Sequence, residues 1–343
     1  MDGKKGTRFW RAVGSVRAQD WWSYKIPPLL ATAYAGYVAF DPKSIATLAA
    51  SGGALVCICL VAVYGYVLND ITDIEEDRRA GRPNRMAGVG WGKRLALILL
   101  SPIACFTLAW LIGVDRITFA LFGINFLLPT LYSVLPVRLK ERGVWGVLAD
   151  ASGVHAVPTA IMARVAVSDV HSADMAVTIF VTSAVTCALF AGLRGIIIHQ
   201  AADRDADRLA GVATFVGSIG VERSRQLVLW CLLPCEIVSL GIFLMFVLPH
   251  APVAMLFVLL FGIAEGMKVY RGWRLPLFER VDGGRERYIP LLNNDLYELW
   301  LPFGLALQMV VYEPILVVVP LLQALLFYPN LRTRIGVLTQ LFK

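Results

Sequence analysis

The stretch IATLAASGGALVCICLVAVYGYVLNDITDIEEDRRAG, residues 45–81, decides how this chain folds. It opens with an uncharged apolar run from Ile45 to Leu68, and about 20 such residues are enough for a helix to cross a bilayer. Asn69, Asp73 and Asp77 follow the run at a spacing of four, which places them on one helix face. The stretch therefore predicts a transmembrane helix that ends in a polar stripe.

The whole chain has the composition of a polytopic membrane protein. Its 343 residues are 57% hydrophobic and only 17% charged, whereas soluble domains are about one quarter charged. This composition excludes an ordinary soluble enzyme, a disordered chain and a coiled coil. All six cysteines lie inside apolar runs and form no CxxC pair, which is typical of buried thiols rather than of a zinc site.

The apolar runs predict an all-α membrane bundle of about nine transmembrane helices. Trp21 and Trp22 would have to extend the short first run, and Glu313-Pro314 predicts that the last run is kinked or split. We divide the chain into a cytoplasmic N-terminal segment (1–25), a single transmembrane domain (26–328) and a C-terminal tail (329–343). The predicted spans are Ile26 to Phe40, Ile45 to Leu68, Leu95 to Val114, Ile117 to Leu135, Trp145 to Ala163, Ala176 to Ile198, Leu227 to Leu248, Pro252 to Tyr270 and Leu299 to Phe327.

The basic residues predict the orientation of these spans. With the amino terminus in the cytoplasm, 25 of the 32 Lys and Arg residues fall in cytoplasmic segments and six on the opposite side, as the positive-inside rule requires. We therefore expect an integral membrane protein whose N-terminus and acidic loops are cytoplasmic and whose carboxyl terminus lies on the other side. The net charge of +7 then reflects contact with the lipid bilayer, and we expect no nucleic-acid partner.

A second copy of the acidic stretch follows 130 residues after the first. This spacing predicts that the domain consists of two quasi-repeats. Residues 199–211 match residues 69–81 at five of 13 positions, including both spaced aspartates. His199, Asp203 and Asp207 form a matching stripe at the end of another apolar run. We expect the two halves of one bundle to present their acidic ends at the same membrane face.

Two facing acidic stripes would repel each other unless a cation lay between them. Mg²⁺ typically binds one or two carboxylates together with the phosphates of a substrate, and Arg82, Arg85 and Arg208 follow the stripes with phosphate-binding chemistry. A solvated mixed-charge loop is the alternative interpretation, but the duplicated spacing favours a site. A transporter is also an alternative, although transporter sites usually lie near the bilayer midplane rather than at helix ends.

The ordered motifs resemble the UbiA-type intramembrane prenyltransferase superfamily. They are Asn69-Asp70-x-x-Asp73-x-x-x-Asp77, Arg82-Pro83-Asn84-Arg85 and Asp203-x-x-x-Asp207-x-x-x-Gly211. Between them, residues 132–140 (YSVLPVRLK) are similar to the Tyr-Ser-x-x-Pro segment of the branch that includes chlorophyll and homogentisate prenylating enzymes. The chain departs from the pattern at Met86, where many members have proline, and at His199, where symmetry suggests Asn or Asp.

This resemblance implies an enzyme with a cavity that opens laterally to lipid under a cytoplasmic cap. Such a prenyltransferase binds Mg²⁺ and a prenyl diphosphate, ionises the diphosphate and lets the allylic cation alkylate an acceptor. A UbiA-type terpene cyclase, which uses the prenyl diphosphate alone, is the alternative. Neither the acceptor nor the prenyl length follows from the sequence.

The resemblance also implies roles for individual residues. Tyr132 would stabilise or shield the cation, or would instead be an interfacial belt residue. The metal–diphosphate ligands would be Asn69, Asp73, Asp77, Asp203 and Asp207, with the four aspartates catalytic. The phosphate contacts would be Arg82, Arg85, Arg138, Lys140 and Arg208.

Acceptor binding has three candidates, Arg17, Lys25 and Arg194. For Arg17 and Lys25 the alternative is an anchor at the membrane surface. Arg194 and Asp150 both fall inside predicted spans, where a charge needs a partner or a cavity. We favour an ion pair between them over acceptor binding by Arg194, and we expect His155 and His171 to be structural.

Overall fold

The computed structural model describes residues 18–40, 43–79, 81–170, 174–273 and 294–341, without the side chains of residues 18–20, 205–207, 209 and 210. All regular secondary structure in these ranges is helical, so the all-α prediction is confirmed. Arg17 and His171 lie outside the described residues, as does the side chain of Asp207.

Thirteen helices follow one another along the described ranges, three of them interrupted by a π-helical turn. The first seven are α1 (Ala18–Ala39), α2 (Ile45–Thr72), α3 (Ile74–Arg79), α4 (Trp91–Leu111), α5 (Arg116–Ser133), α6 (Val144–Ala151, a π turn at Ser152–Ala156, then Val157–Ala166) and α7 (Met175–Ala210). The others are α8 (Phe215–Ile219), α9 (Val221–Leu227, a π turn at Val228–Leu232, then Leu233–Val247), α10 (Pro252–Tyr270), α11 (a π turn at Leu296–Trp300, then Leu301–Tyr312), α12 (Val318–Leu326) and α13 (Tyr328–Leu341).

Helices occupy all nine predicted apolar runs, and those that differ from prediction do so for local reasons. α1 begins at Ala18 and so includes Trp21 and Trp22, which makes the short first run a 22-residue helix. Five helices of the described chain are long and apolar enough to cross a membrane, or six if the bent pair of α12 and α13 is one span. The crossing of all nine, and the predicted domain boundaries, stay predictions.

The apolar core lies where α1, α2, α6, α7, α9 and α11 meet. Small residues let helices approach closely there: a Cβ added to Gly36 of α1 would lie 2.6 Å from the Ala166 Cβ of α6. Many large apolar side chains point outward instead, such as Trp230 at 82% exposure. That arrangement suits a bundle whose solvent is lipid.

The two ends of the bundle are defined by their residues. The site end carries Asn69 and Asp73 at the end of α2. The distal end carries Phe40 and Tyr312, and the Tyr312 ring lies 4.8 Å from the Lys43 ammonium.

The C-terminal helix α13 lies at the site end, whereas the predicted topology put the C-terminal tail on the side opposite the N-terminal segment. A turn at Pro314–Val317 ends α11, α12 leads back through the bundle, and a 79° bend separates this segment from α13. Phe327 then stacks on Trp22 with ring centroids 5.8 Å apart, and Asn330 Nδ2 donates to the Ser23 carbonyl at 2.8 Å. Pro314 has no N–H to continue α11, so the predicted last span is split into two pieces.

Candidate functional site

A cavity of about 1240 Å³ lies inside the bundle near the site end. Apolar side chains such as Ile58, Val61 and Phe243 form much of its wall. The polar part of the wall has two regions, named here by their residues. The motif pocket consists of Asn69, Asp73, Arg82, Tyr132, Ser133, Lys140 and His199, and the inner polar cluster consists of Lys25, Asp150, His155, Arg194, Asn294, Tyr297, Glu298 and Arg334.

The first acidic stripe keeps its helical spacing although α2 ends at Thr72. The Asp73 N–H donates to the Asn69 carbonyl at 3.0 Å, and the Asp77 N–H donates to the Asp73 carbonyl at 2.8 Å. These bonds carry the one-turn stagger from α2 into α3, so the break does not rotate the stripe away from one face. Asn69 is fixed further by a 3.2 Å hydrogen bond from the Ser133 hydroxyl.

Two cations from residues 132–140 converge on Asp73. Lys140 Nζ forms an ion pair with the Asp73 carboxylate, and Arg138 Nη2 lies 3.4 Å from the same oxygen. Arg138 also pairs with Glu76 and Glu141 while its side chain is only 8% exposed. The backbone turn that directs these residues inward puts Arg138 in the left-handed region, at φ 39°.

Asn84 ties the Arg82–Arg85 loop to the first stripe. Its Nδ2 donates to the Asp70 carbonyl at 2.7 Å and to Asp77 Oδ2 at 2.8 Å. Its Oδ1 accepts the backbone N–H groups of Met86 and Ala87, at 2.9 and 3.1 Å. Asn84 belongs to the quoted motif, but sequence reasoning gave it no role, because a loop asparagine reveals its partners only in three dimensions.

The second stripe continues α7 and is more open. His199 Nε2 lies 3.4 Å from Asp203 Oδ2, and both side chains are exposed. Of this stripe His199 lines the cavity, and Arg208 is exposed. In the described part of the chain, no group of three or more His, Cys, Asp or Glu side chains is gathered closely enough to hold a metal ion.

The structure thus brings part of the predicted set onto one wall. Asn69, Asp73, Arg82, Lys140 and Tyr132 all line the cavity. The other predicted residues with described side chains, Asp77, Asp203, Arg85, Arg138 and Arg208, do not line it.

The donor chemistry of the motif pocket fits Mg²⁺ bound together with a phosphate. Asn69 and Asp73 offer oxygen ligands, which hard divalent cations prefer. Arg82 and Lys140 offer N–H donors beside them, and these suit phosphate oxygens. A cation and an anion of this kind would therefore each find partners in the pocket.

The structure overturns the predicted pair of Arg194 with Asp150. Arg194 instead forms a two-pronged ion pair with Glu236, at 2.6 and 2.9 Å, and a third bond to Asn294 Oδ1 at 3.2 Å. Glu236 lies on α9, which packs along α7, and it is fully buried. The sequence does show that Glu236 is a lone carboxylate inside a predicted span and so needs a partner. Which residue that partner is depends on how the two helices face each other.

Lys25 lines the cavity, as an acceptor-binding residue would, and its nearest partner is His155. Lys25 Nζ and His155 Nε2 are 2.8 Å apart. Gly192 makes room for the imidazole, since a Cβ there would lie 2.8 Å from His155 Cδ2. His155 was expected to be structural, and the structure places it on the cavity wall.

Two further cavity residues were not identified from the sequence. Glu298 begins α11, and Arg334 of the C-terminal helix lies 3.1 Å from it. Arg334 also lies 2.7 Å from Asp295. The sequence placed Arg334 in a tail on the opposite side, so only the return of the chain through α12 could reveal this contact.

Solved structures with the same fold include UbiA homologs from two organisms. A UbiA homolog from Archaeoglobus fulgidus bound to DMAPP and Mg²⁺ is 13% identical at a TM-score of 0.52, with 88% of this chain and 98% of that chain covered. The same homolog bound to GPP and Mg²⁺ is 15% identical at 0.53, with 88% and 99% covered. The apo UbiA homolog from Aeropyrum pernix K1 is 17% identical at 0.54, with 83% and 96% covered.

No curated protein sequence matches the chain significantly. The family model described as the UbiA prenyltransferase family matches residues 29–275, which is most of the chain and includes both acidic stripes. The match agrees with the order of the motifs and with the helical fold. The chain therefore belongs to the UbiA prenyltransferase family.

Proposed function

We propose that this protein is an integral membrane prenyltransferase that transfers an isoprenyl group from a prenyl diphosphate to an acceptor. One observation carries this proposal: Asn69, Asp73, Arg82 and Lys140 line one region of a cavity that also has a large apolar wall. A prenyl diphosphate has the same division, with an anionic head and an apolar chain. Fold relatives hold DMAPP or GPP with Mg²⁺, which supports the proposal.

The motif pocket would bind the diphosphate head. Asn69, Asp73 and Asp77 from the first stripe, with Asp203 and Asp207 from the second, would hold Mg²⁺, which acts as a Lewis acid on the departing phosphate oxygen. Arg82 and Lys140 would contact phosphate directly, and Arg138 would hold Asp73 in place. Arg85 and Arg208 would complete the phosphate contacts.

The apolar wall would bind the prenyl chain and keep water from the cation. Tyr132 is the aromatic residue of the motif pocket, and its ring would face the developing positive charge. Ionisation needs no nucleophile from the protein, because the leaving group departs as diphosphate. Water exclusion then decides whether the cation reaches an acceptor or is hydrolysed.

The test is Mg²⁺-dependent release of diphosphate by purified protein in detergent, with labelled prenyl diphosphates and with or without acceptors. Asp73→Asn should lower turnover by about 10²-fold or more, the scale for losing one electrostatic stabiliser of a developing charge. Chelation of Mg²⁺ should abolish release. Near-normal turnover by Asp73→Asn would refute the metal–diphosphate assignment.

Glu75→Gln is the matched control. Glu75 lies two positions from Asp73, is exposed, and pairs with Arg78 and Arg79 rather than with the cavity. This variant should keep wild-type turnover. A cyclic product formed without any acceptor would favour the terpene cyclase over the transferase.

A further inference from the structure

The inner polar cluster is the part of the cavity that the diphosphate chemistry leaves unused. Three cations belong to it: Lys25, Arg194 and Arg334. A free cation in a membrane-embedded cavity would attract a carboxylate or phosphate group on an acceptor. The partners of these three side chains therefore bear on the chemical class of the acceptor.

Arg194 already has a full set of anionic and polar partners. Both oxygens of Glu236 accept from its guanidinium, at 2.6 and 2.9 Å, and the two side chains are 2% and 0% exposed. The Tyr297 hydroxyl donates to the same carboxylate at 3.0 Å. The pair is closed and neutral, so it has no net charge to offer an anion.

Arg334 pairs with two carboxylates, so its single positive charge is more than compensated. It lies 2.7 Å from Asp295 and 3.1 Å from Glu298. Lys268, 3.4 Å from Asp295, adds one positive charge, but it also pairs with Glu265. These two cations therefore face three carboxylates.

Lys25 is the remaining cation, and it too is compensated. His155 Nε2 lies 2.8 Å from its ammonium group, and that ring nitrogen can accept a hydrogen bond only when unprotonated. The carboxylates of Asp150 and Glu298 interact electrostatically with the same ammonium. Asp150 also interacts with His199, which links this cluster to the motif pocket.

Resting on the proposed function, we propose that the acceptor is a neutral molecule with hydroxyl groups on an apolar body, not a carboxylate or phosphate anion. Each cation that the described residues place on this wall already faces a carboxylate, so an anion would add uncompensated charge away from water. A neutral hydroxyl can donate to Asp150 or Glu298 and accept one of the three N–H donors of Lys25. The inner polar cluster would therefore exclude anionic acceptors and would bind neutral ones through hydrogen bonds to their hydroxyl groups.

The first test is direct binding to the full chain in detergent, measured by calorimetry without prenyl diphosphate. The probes are matched pairs that differ in charge: para-hydroxybenzoate with para-hydroxybenzamide, and homogentisate with its methyl ester. The neutral member of each pair should bind about ten-fold or more tightly, the scale for one added charge at an effective dielectric near 20. Equal or tighter binding of the anions, or no binding of either neutral probe, would overturn the proposal.

The second test removes one carboxylate at a time. Asp150→Asn and Glu298→Gln should each raise the affinity for the anionic probes by about ten-fold relative to the neutral ones. Glu75→Gln is the matched control, because it removes the same charge from an exposed carboxylate that pairs with Arg78 and Arg79 away from the cavity, and it should leave the preference unchanged. An equal effect of all three variants would contradict recognition by the cavity carboxylates. The wild-type comparison decides the proposal even if a variant fails to fold.

These measurements separate the present inference from the proposed function. Release of diphosphate with Mg²⁺ tests the motif pocket, whereas probe binding without prenyl diphosphate tests the inner polar cluster. Diphosphate release together with a preference for anionic probes would refute only the acceptor class. A preference for neutral probes without any release of diphosphate would refute only the prenyl diphosphate chemistry.

Discussion

Arg194 and Glu236 show how a single residue pair can hold two transmembrane helices in register. The pair joins α7 to α9 through two hydrogen bonds with almost no exposure to solvent. Taking both charges out of water is costly, and two good hydrogen bonds offset that cost only while both partners are present. The pair therefore fixes geometry more than it adds stability.

Glu236→Met should destabilise the protein by about 3–5 kcal/mol, because it leaves the Arg194 guanidinium buried without its anion. The double variant Arg194→Met with Glu236→Met should recover most of that loss, since no buried charge remains. Thermal unfolding in detergent of both single variants and the double variant measures the coupling. Equal destabilisation by the Glu236 variant and the double variant would contradict this explanation, because it would show that the unpaired Arg194 charge is not what lowers the stability.

For single residues, the sequence predicts which residues form a motif better than it predicts which side chains contact each other. The four-residue spacing of Asn69, Asp73 and Asp77 is a property of one helix, so it could be predicted without a structure. The choice between Asp150 and Glu236 as partner of Arg194 depends on the rotation of α7 against its neighbours. Apolar periodicity restricts that rotation too loosely to choose one carboxylate.

Helix α5 illustrates what fixes an element at the distal end. Its N-cap is Asp115, whose Oδ1 accepts the backbone N–H groups of Ile117 and Thr118 at 2.7 and 2.9 Å. Asp115 Oδ2 also forms a 2.9 Å ion pair with Arg164 of α6. One carboxylate thus caps α5 and joins it to a neighbouring helix.

The Asp115 carboxylate should make this contact sensitive to acid. Partial burial acts to raise its pKa, but hydrogen bonds from the Thr118 backbone and Arg164 outweigh burial and hold the pKa below its usual value. Its stabilisation is therefore present above the unfolded-state pKa of about 3.9 and is lost as the pH falls through the folded-state pKa.

Asp115→Ala should cost about 1 kcal/mol at neutral pH, the usual loss for an N-cap. At an acidic pH below the folded-state pKa, the difference between this variant and wild type should narrow, because the wild-type carboxyl is then largely protonated. Thermal unfolding in detergent at the two pH values checks this. A difference that does not change with pH would show that the charge is irrelevant and only the cap matters.

Helices were predicted well where the length of an apolar run defines them and poorly where the chain reverses direction. Residues 252–270 form a helix with the predicted bounds. The predicted last span, 299–327, is instead two helices joined by a turn, because Glu313-Pro314 ends α11. The sequence predicted a break at Glu313-Pro314, but these residues alone do not distinguish a kinked helix from a reversal of the chain.

Across the whole molecule, the reversal at Pro314 brings the C-terminal helix to the site end and strengthens the predicted charge asymmetry. Arg332 and Arg334 of α13 change sides, so the predicted cytoplasmic count rises from 25 to 27 and the opposite count falls from six to four. A larger bias agrees better with the positive-inside rule. We therefore predict that α13 and the start of α1 lie on the same, cytoplasmic side of the membrane.

Single cysteines in a background without the native thiols should reveal this arrangement. Gly88→Cys and Gln340→Cys should react with a membrane-impermeant maleimide from the same side of sealed vesicles. Ser168→Cys, exposed at the distal end, should react from the other side and serves as the control. Labelling of Gln340→Cys together with Ser168→Cys would contradict the return of the chain through α12.

The short return segment also has a consequence for the surrounding lipid. Pro314–Val317 and Val318–Leu326 contain four and nine residues, so together they reach only about 20 Å at ~1.5 Å per residue, against a hydrocarbon thickness of about 30 Å. Such hydrophobic mismatch is relieved by local thinning of the bilayer. The acyl chains beside α12 should therefore be compressed, and headgroups drawn inward, next to the bend from which α13 carries Arg334 to the cavity.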